Sequence, residues 1–310
     1  SYVARYDKST GTLYLNGYQG VGENGGITAA SDLNIVVESD SSFTTSRTTS
    51  TDTLMGIQAS GKLDISGDGK LTVSANGKSN VYGIFAKEGV TISAPLDVTV
   101  KLTDSSNILM YGIYTNSGAI SLSGGAKTIT VTGGGSAVCG VYNNAFTPEI
   151  TDNGNIDISG KLTVNLNKGK NNVGIRTGSG GTITLNDATV NIPSNFYFGI
   201  YNDNGDVVIK NKSNVTLTSD ISNGNGVYTK YGGDLIIENS NVTVSTKGLT
   251  ASVDKGTLTI KDSIVDLTLD DNYHRVVETK SDAANKIDLS GSGTVTLTAS
   301  GNQSSSMIGG

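Results

Sequence analysis

A chain of 310 residues with one histidine and one cysteine has few groups for acid–base or nucleophilic chemistry. His274 would need a carboxylate and a nucleophile to work in a triad, or further ligands to hold a metal. The spacing around it supplies neither. Cys139 sits among small and apolar residues in "AVCGVY" (137–142), where a thiol acts as a small buried apolar group, and a lone cysteine forms no intrachain disulfide. Carboxylates gather in turns: "GDG" (67–69), "NDNGD" (202–206) and "LDDN" (269–272). Asp203 and Asp206 are candidate oxygen donors for Ca²⁺, which takes several such ligands. However, no D-x-D-x-D-G run with a closing acid is present, and Asx-Gly pairs make ordinary turns. No metal and no cofactor is expected. Hydrolysis of a polysaccharide needs paired carboxylates, and elimination needs a Ca²⁺ cluster with a base. The four arginines, Arg5, Arg47, Arg176 and Arg275, are scattered, and the Asp pairs do not share a face. No catalytic residue is assigned.

Binding chemistry is better represented. A five-letter word returns along the chain: "VYGIF" (81–85), "MYGIY" (110–114), "VCGVY" (138–142) and "YFGIY" (197–201). Its glycine falls at Gly26, Gly56, Gly83, Gly112, Gly140, Gly174, Gly199, Gly226 and Gly248, with Arg275 in a degenerate tenth copy. The next residue is always aliphatic: Ile27, Ile57, Ile84, Ile113, Val141, Ile175, Ile200, Val227, Leu249 and Val276. If that aliphatic points inward, strand alternation turns the following residue outward. In six consecutive copies this outward residue is Phe85, Tyr114, Tyr142, Arg176, Tyr201 and Tyr228. Such a file is either a ligand face, where rings stack on sugars or peptides, or a structural file whose rings cover the neighbouring glycines and one another.

The elements that must position this file follow from two further motifs in each repeat. One is apolar at every second residue, as in "GKLDI" (61–65), "GAISL" (118–122) and "GTITL" (181–185). The other is a short alternating run, as in "LTV" (71–73), "VTV" (98–100) and "VTL" (215–217). Three short strands per repeat, separated by Gly, Asn, Ser and Asp, cannot bury an apolar face alone. Stacked copies can. The expected fold is all-β: a right-handed, single-stranded parallel β-helix of about ten rungs, with three short parallel sheets and capped ends. The third inner residue of the word is small or an amide, such as Ala59, Ala86, Thr115, Asn143 and Asn202, and stacked Asn are expected to bond along the ladder. A bulge or corner is expected at the marker glycine. Thr72, Thr99, Thr130, Thr163, Thr216, Thr243 and Thr296 read as one outward file, interrupted at Asn191 and Asp266. It is taken as β-branched packing on a sheet and not as an ice-binding array.

The chain reads as a single domain, 1–310. Residues 1–25 form an N-terminal cap and first incomplete rung, 26–299 the repeats, and 300–310 a polar tail expected to fray. Residues 36–53 and 143–153 are the longest expected loops. The net charge of −6 argues against nucleic acid. No apolar run approaches the ~18 residues of a membrane span, so no membrane insertion is expected.

The opening "YDKSTGTLYLNGY" (6–18), together with the repeats over 26–299, resembles the repeat-rich β-helix domains of secreted surface proteins of Gram-positive gut bacteria. In these a Y-D-x-x-T-G-T-L-x-L opening precedes G-I-x-A-x-G-D-L-x-I repeats, and Tyr6, Asp7, Thr10, Gly11, Thr12, Leu13 and Leu15 match that opening. The resemblance implies an extracellular or cell-surface location, membership of a larger surface protein, and adhesin-like or carbohydrate-binding attachment to a glycan or host surface. It transfers no catalytic residue. The competing expectations are a β-helix polysaccharide lyase or hydrolase, and a purely structural stalk.

Overall fold

Every element among the described residues of the computed structural model is a β-strand, as short runs of alternating β-branched residues between turn formers require. The structure describes all residues except 1, 24, 48–51, 104–107, 146–153, 170, 194, 271–274, 280–285, 300–307 and 310. No helix among the described residues is long and apolar enough to cross a membrane. The chain winds as a right-handed parallel β-helix. Eleven parallel strands, from Ile27–Ala29 to Ile308–Gly309, form the sheet built on the repeated word. The two other motifs form two further parallel ladders.

Those two ladders are hydrogen-bonded into one 21-stranded sheet, so two continuous sheets replace the three expected. The strands Ile156–Asn167 and Ile183–Pro193 run unbroken round the shared corner. A bulge between Ile158 and Gly160, with positive φ at Gly160 and Asp187, bends them without ending the pairing.

The interior is a set of stacked files. Ile57, Ile84, Ile113, Val141, Ile175 and Ile200 pair in register, one rung to the next, and all are fully buried. Ile27, on the first rung, is half-buried. The last two words depart from expectation. Val227 pairs with Ala251, and Ala251 with Val277, so Thr250 and Val276 occupy the marker position in place of Gly248 and Arg275. Gly248 serves the turn before the strand and packs on Gly224, and Leu249 lies outside the buried file.

At the N-terminus Thr12–Asn16 and Gln19–Glu23 join the second and third ladders without a word strand. Ala4–Asp7 folds back antiparallel on Thr12–Asn16 and closes that edge. The expected loop 36–53 is largely strand: Leu33–Ser39 and Ser41–Arg47 carry the two ladders, and 48–51 lies outside the described residues. Most of the other expected loop, 146–153, also lies outside them, as does most of the tail. Ile308–Gly309 of that tail pairs with Val277 and Glu278 and so adds a final word strand.

Candidate functional site: the outer face of the word sheet

The marker glycine explains this face. A side chain on Gly83 would collide with Val98 inside the coil, and one on Gly112 with Ile129 and the Gly140 carbonyl. The glycine and the aliphatic residue after it therefore both face inward, which breaks alternation. The residue before the glycine and the residue after the aliphatic are both left outside. The space that glycine saves lies within the coil, so the rings do not fill it, contrary to the structural reading of the file as a shield over glycine.

Two outward files result where one was expected. The first is Phe85, Tyr114, Tyr142, Arg176, Tyr201 and Tyr228, in continuous register. The second, missed in the sequence, pairs Tyr82, Tyr111, Cys139, Val173 and Phe198 in the same order. Its signal was present: the residue before each marker glycine is repeatedly large and apolar. The files interlock as a second apolar cluster, separate from the core. Phe85 stacks on Tyr114 at 5.7 Å, and Tyr111 meets Tyr114 at 4.9 Å. Phe198 stacks on Tyr201 at 4.6 Å and on Tyr228 at 5.4 Å.

Arg176 joins the two ring blocks. Its guanidinium lies 4.9 Å from the Tyr142 ring centre and 5.1 Å from that of Tyr201, as a planar cation in a ring stack should. Its Nε and Nη2 donate to one oxygen of Asp203 at 3.0 and 2.8 Å. Burial opposes the Arg176 charge, and Tyr142 and Asp203 outweigh it, so its pKa is raised. The hydroxyls are tied down as well. Tyr142 donates to Asn144 at 2.6 Å, Asn144 donates to the Tyr114 oxygen at 2.9 Å, and Tyr228 donates to Asp254 at 3.0 Å. Burial pushes the phenols of Tyr82 and Tyr142 up to about 12 and raises Tyr111, Tyr114 and Tyr201. It likewise pushes the Cys139 thiol up to about 12, leaving it inert.

One feature of the expected ladder needs correction. Tyr114, Tyr142 and Tyr201 are only 8%, 7% and 6% exposed, because the second file and Arg176 pack against them. The surface belongs to the half-buried members: Phe85, Arg176, Tyr228, and the newly found Tyr82 and Phe198. Replacing Tyr142 with alanine is therefore expected to lower stability by about 2–4 kcal/mol, read as a shifted urea midpoint.

The remaining candidates resolve simply. Asp203 is committed to Arg176, and Asp206 accepts the Asp234 amide at 2.8 Å, so that pair builds turns. No group of three His, Cys, Asp or Glu side chains among the described residues could hold a metal. His274 lies outside the described residues. A shallow concavity of about 430 Å³ on the second ladder is lined by Asp32, Lys62, Asp64, Glu88, Thr91 and Asn155. Burial raises the Asp64 carboxyl there. The buried amides do not stack on each other. Asn143 donates to Gly118 at 2.7 Å and Asn202 to Gly181 at 2.8 Å, tying the word strand to the adjacent corner. The threonines split into two files: Thr72 stands opposite Asp97, and Thr99 opposite Ser74 and Thr130. Comparison with protein-family models, curated proteins and solved structures finds no match to this chain.

Proposed function

We propose that this chain is a non-catalytic, adhesin-like surface module that attaches to a glycan through the outer face of its word sheet, within a larger extracellular protein. The observation that carries this reading is the mixed aromatic and arginine file, rigidly spaced and lying outside the core. Rings of this kind supply apolar area at low entropic cost, and their polar tips bond hydroxyls. The lack of paired carboxylates in this file agrees with a binding role.

A second reading, a structural stalk, draws on the low exposure of Tyr114, Tyr142 and Tyr201. A glycan array separates the two. The binding reading expects hits that weaken about tenfold in Phe85→Ala and Tyr228→Ala proteins that still fold, each loss worth about 1.4 kcal/mol. The stalk reading expects no hit. Incubation with polysaccharides and Ca²⁺ is expected to yield no new reducing ends and no unsaturated products; their formation at enzyme-like rates would replace both readings with a β-helix lyase or hydrolase.

A further inference from the structure

Resting on the glycan-binding reading above, we propose that the ligand of this face is an uncharged, polyhydroxylated chain lying along the coil axis, and not an acidic polysaccharide. Recognition of an acidic chain calls for a cation free to make a fork with a carboxylate or sulfate. The cation within the ring file is Arg176, and its charge is already paired with Asp203. Both its faces are taken by Tyr142 and Tyr201, and two of its donors go to one oxygen of Asp203.

Continuing the file past Tyr228, the next positions are Ser252, which is fully buried, and Glu278. Arg275 donates to Glu278 at 3.3 Å, so that charge is also paired within the protein. The Tyr228 hydroxyl is held by a further carboxylate, Asp254. Among the described residues the file itself thus carries no cation besides the paired Arg176, and it leans acidic at one end. An anionic polymer laid on it would meet carboxylates without gaining a free cation.

What the strip does offer suits neutral sugars. Half-buried rings at Tyr82 and Phe85 mark one end, and Phe198 and Tyr228 the other, with the part-exposed Arg176 between them. Five rung intervals at ~4.8 Å place Phe85 and Tyr228 roughly 24 Å apart, the reach of a short extended oligosaccharide. Apolar C–H faces of sugar rings fit aromatic surface, and their hydroxyls fit the Asn144, Asp203 and Asp254 side chains beside it.

The test is calorimetric titration of the whole chain with neutral gluco-, manno- and galacto-oligosaccharides, alongside heparin and hyaluronan oligosaccharides and an oligolysine peptide, each at low and high salt. The expected result is binding of a neutral oligosaccharide, with a Kd that changes less than about twofold with salt. That Kd should weaken about tenfold in Phe85→Ala or Tyr228→Ala. Tyr228→Phe, which keeps the ring and removes its hydroxyl bond to Asp254, guards against misfolding of the alanine variants. Preference for heparin or hyaluronan, weakening steeply with salt, would overturn this inference and leave the glycan-binding reading standing. Binding of oligolysine alone, or of no saccharide at all, would overturn both.

Discussion

Replacing Gly112 with valine is expected to destabilise the fold by about 3 kcal/mol, lowering Tm by roughly 5 °C. The reason is specific to the interior. Any side chain there meets the Ile129 methyl from the third ladder and the carbonyl of Gly140 on the next rung. Neither can retreat: Ile129 is fully buried, and the Gly140 backbone belongs to the adjacent word strand. The same wall recurs at Gly83, Gly140 and Gly174, so the defect would be felt wherever it is placed in the middle rungs. Gly25→Ala is the control. Nothing lies within 4 Å of the added methyl and the backbone there needs no left-handed conformation, so a change within about 0.5 kcal/mol is expected. Equal tolerance of the two substitutions in a thermal melt would refute this account of the marker glycine.

The second large effect has the opposite sign. Lys127 occupies an inward slot of the third ladder, in register with Leu96 and Leu162, and is 2% exposed. Its ammonium reaches the corner and donates to the carbonyls of Ser123 and Gly125. Burial pushes its pKa down to about 8, against about 10.4 in an unfolded chain. Below pH 8 both states are protonated and the folded state bears the full cost of a buried charge. Between pH 8 and about 10.4 the unfolded chain binds more protons than the folded one, so stability rises with pH. Above about 10 the raised phenols of Tyr82 and Tyr142 act the other way. The unfolded tyrosines ionise first, and the stability these residues contribute is lost as pH climbs through about 12. Lys127→Met is expected to raise stability at pH 7 by about 1–2 kcal/mol, the relief of desolvation outweighing two bonds to turn carbonyls. It should also flatten the rise between pH 8 and 10. Urea unfolding of both proteins across pH 7–10 measures this, and a wild-type curve without that rise would show that the amine is not held in the core as described.

Lys127 also illustrates what could be read in advance. In "AKTITVT" (126–132) it shares the parity of Ile129 and Val131, so alternation alone marks it as an inward lysine. The aromatic file was legible for the same reason: a residue's face in a strand is a matter of parity and needs no knowledge of its neighbours. The parallel β-helix followed from ten copies of one word, because units that cannot bury a face alone must stack.

Parity does not determine what stands beside a side chain. Arg176 meets Asp203, 27 residues later, only because rung-to-rung register sets one coil on the next. Tyr114, Tyr142 and Tyr201 are covered because the break in alternation at the glycine turns a second file outward against them. Thr99 stands opposite Ser74 and not Thr72, and Ala251 opposite Val227 where the letters pointed to Leu249. By itself the sequence determined inside from outside along the regularly alternating strands, and not at the marker glycine or in the last words. The tertiary structure decided exposure, pairing and charge balance on the outer face of the word sheet, since these depend on contacts between rungs whose relative register is set by turns and corners and not by local alternation.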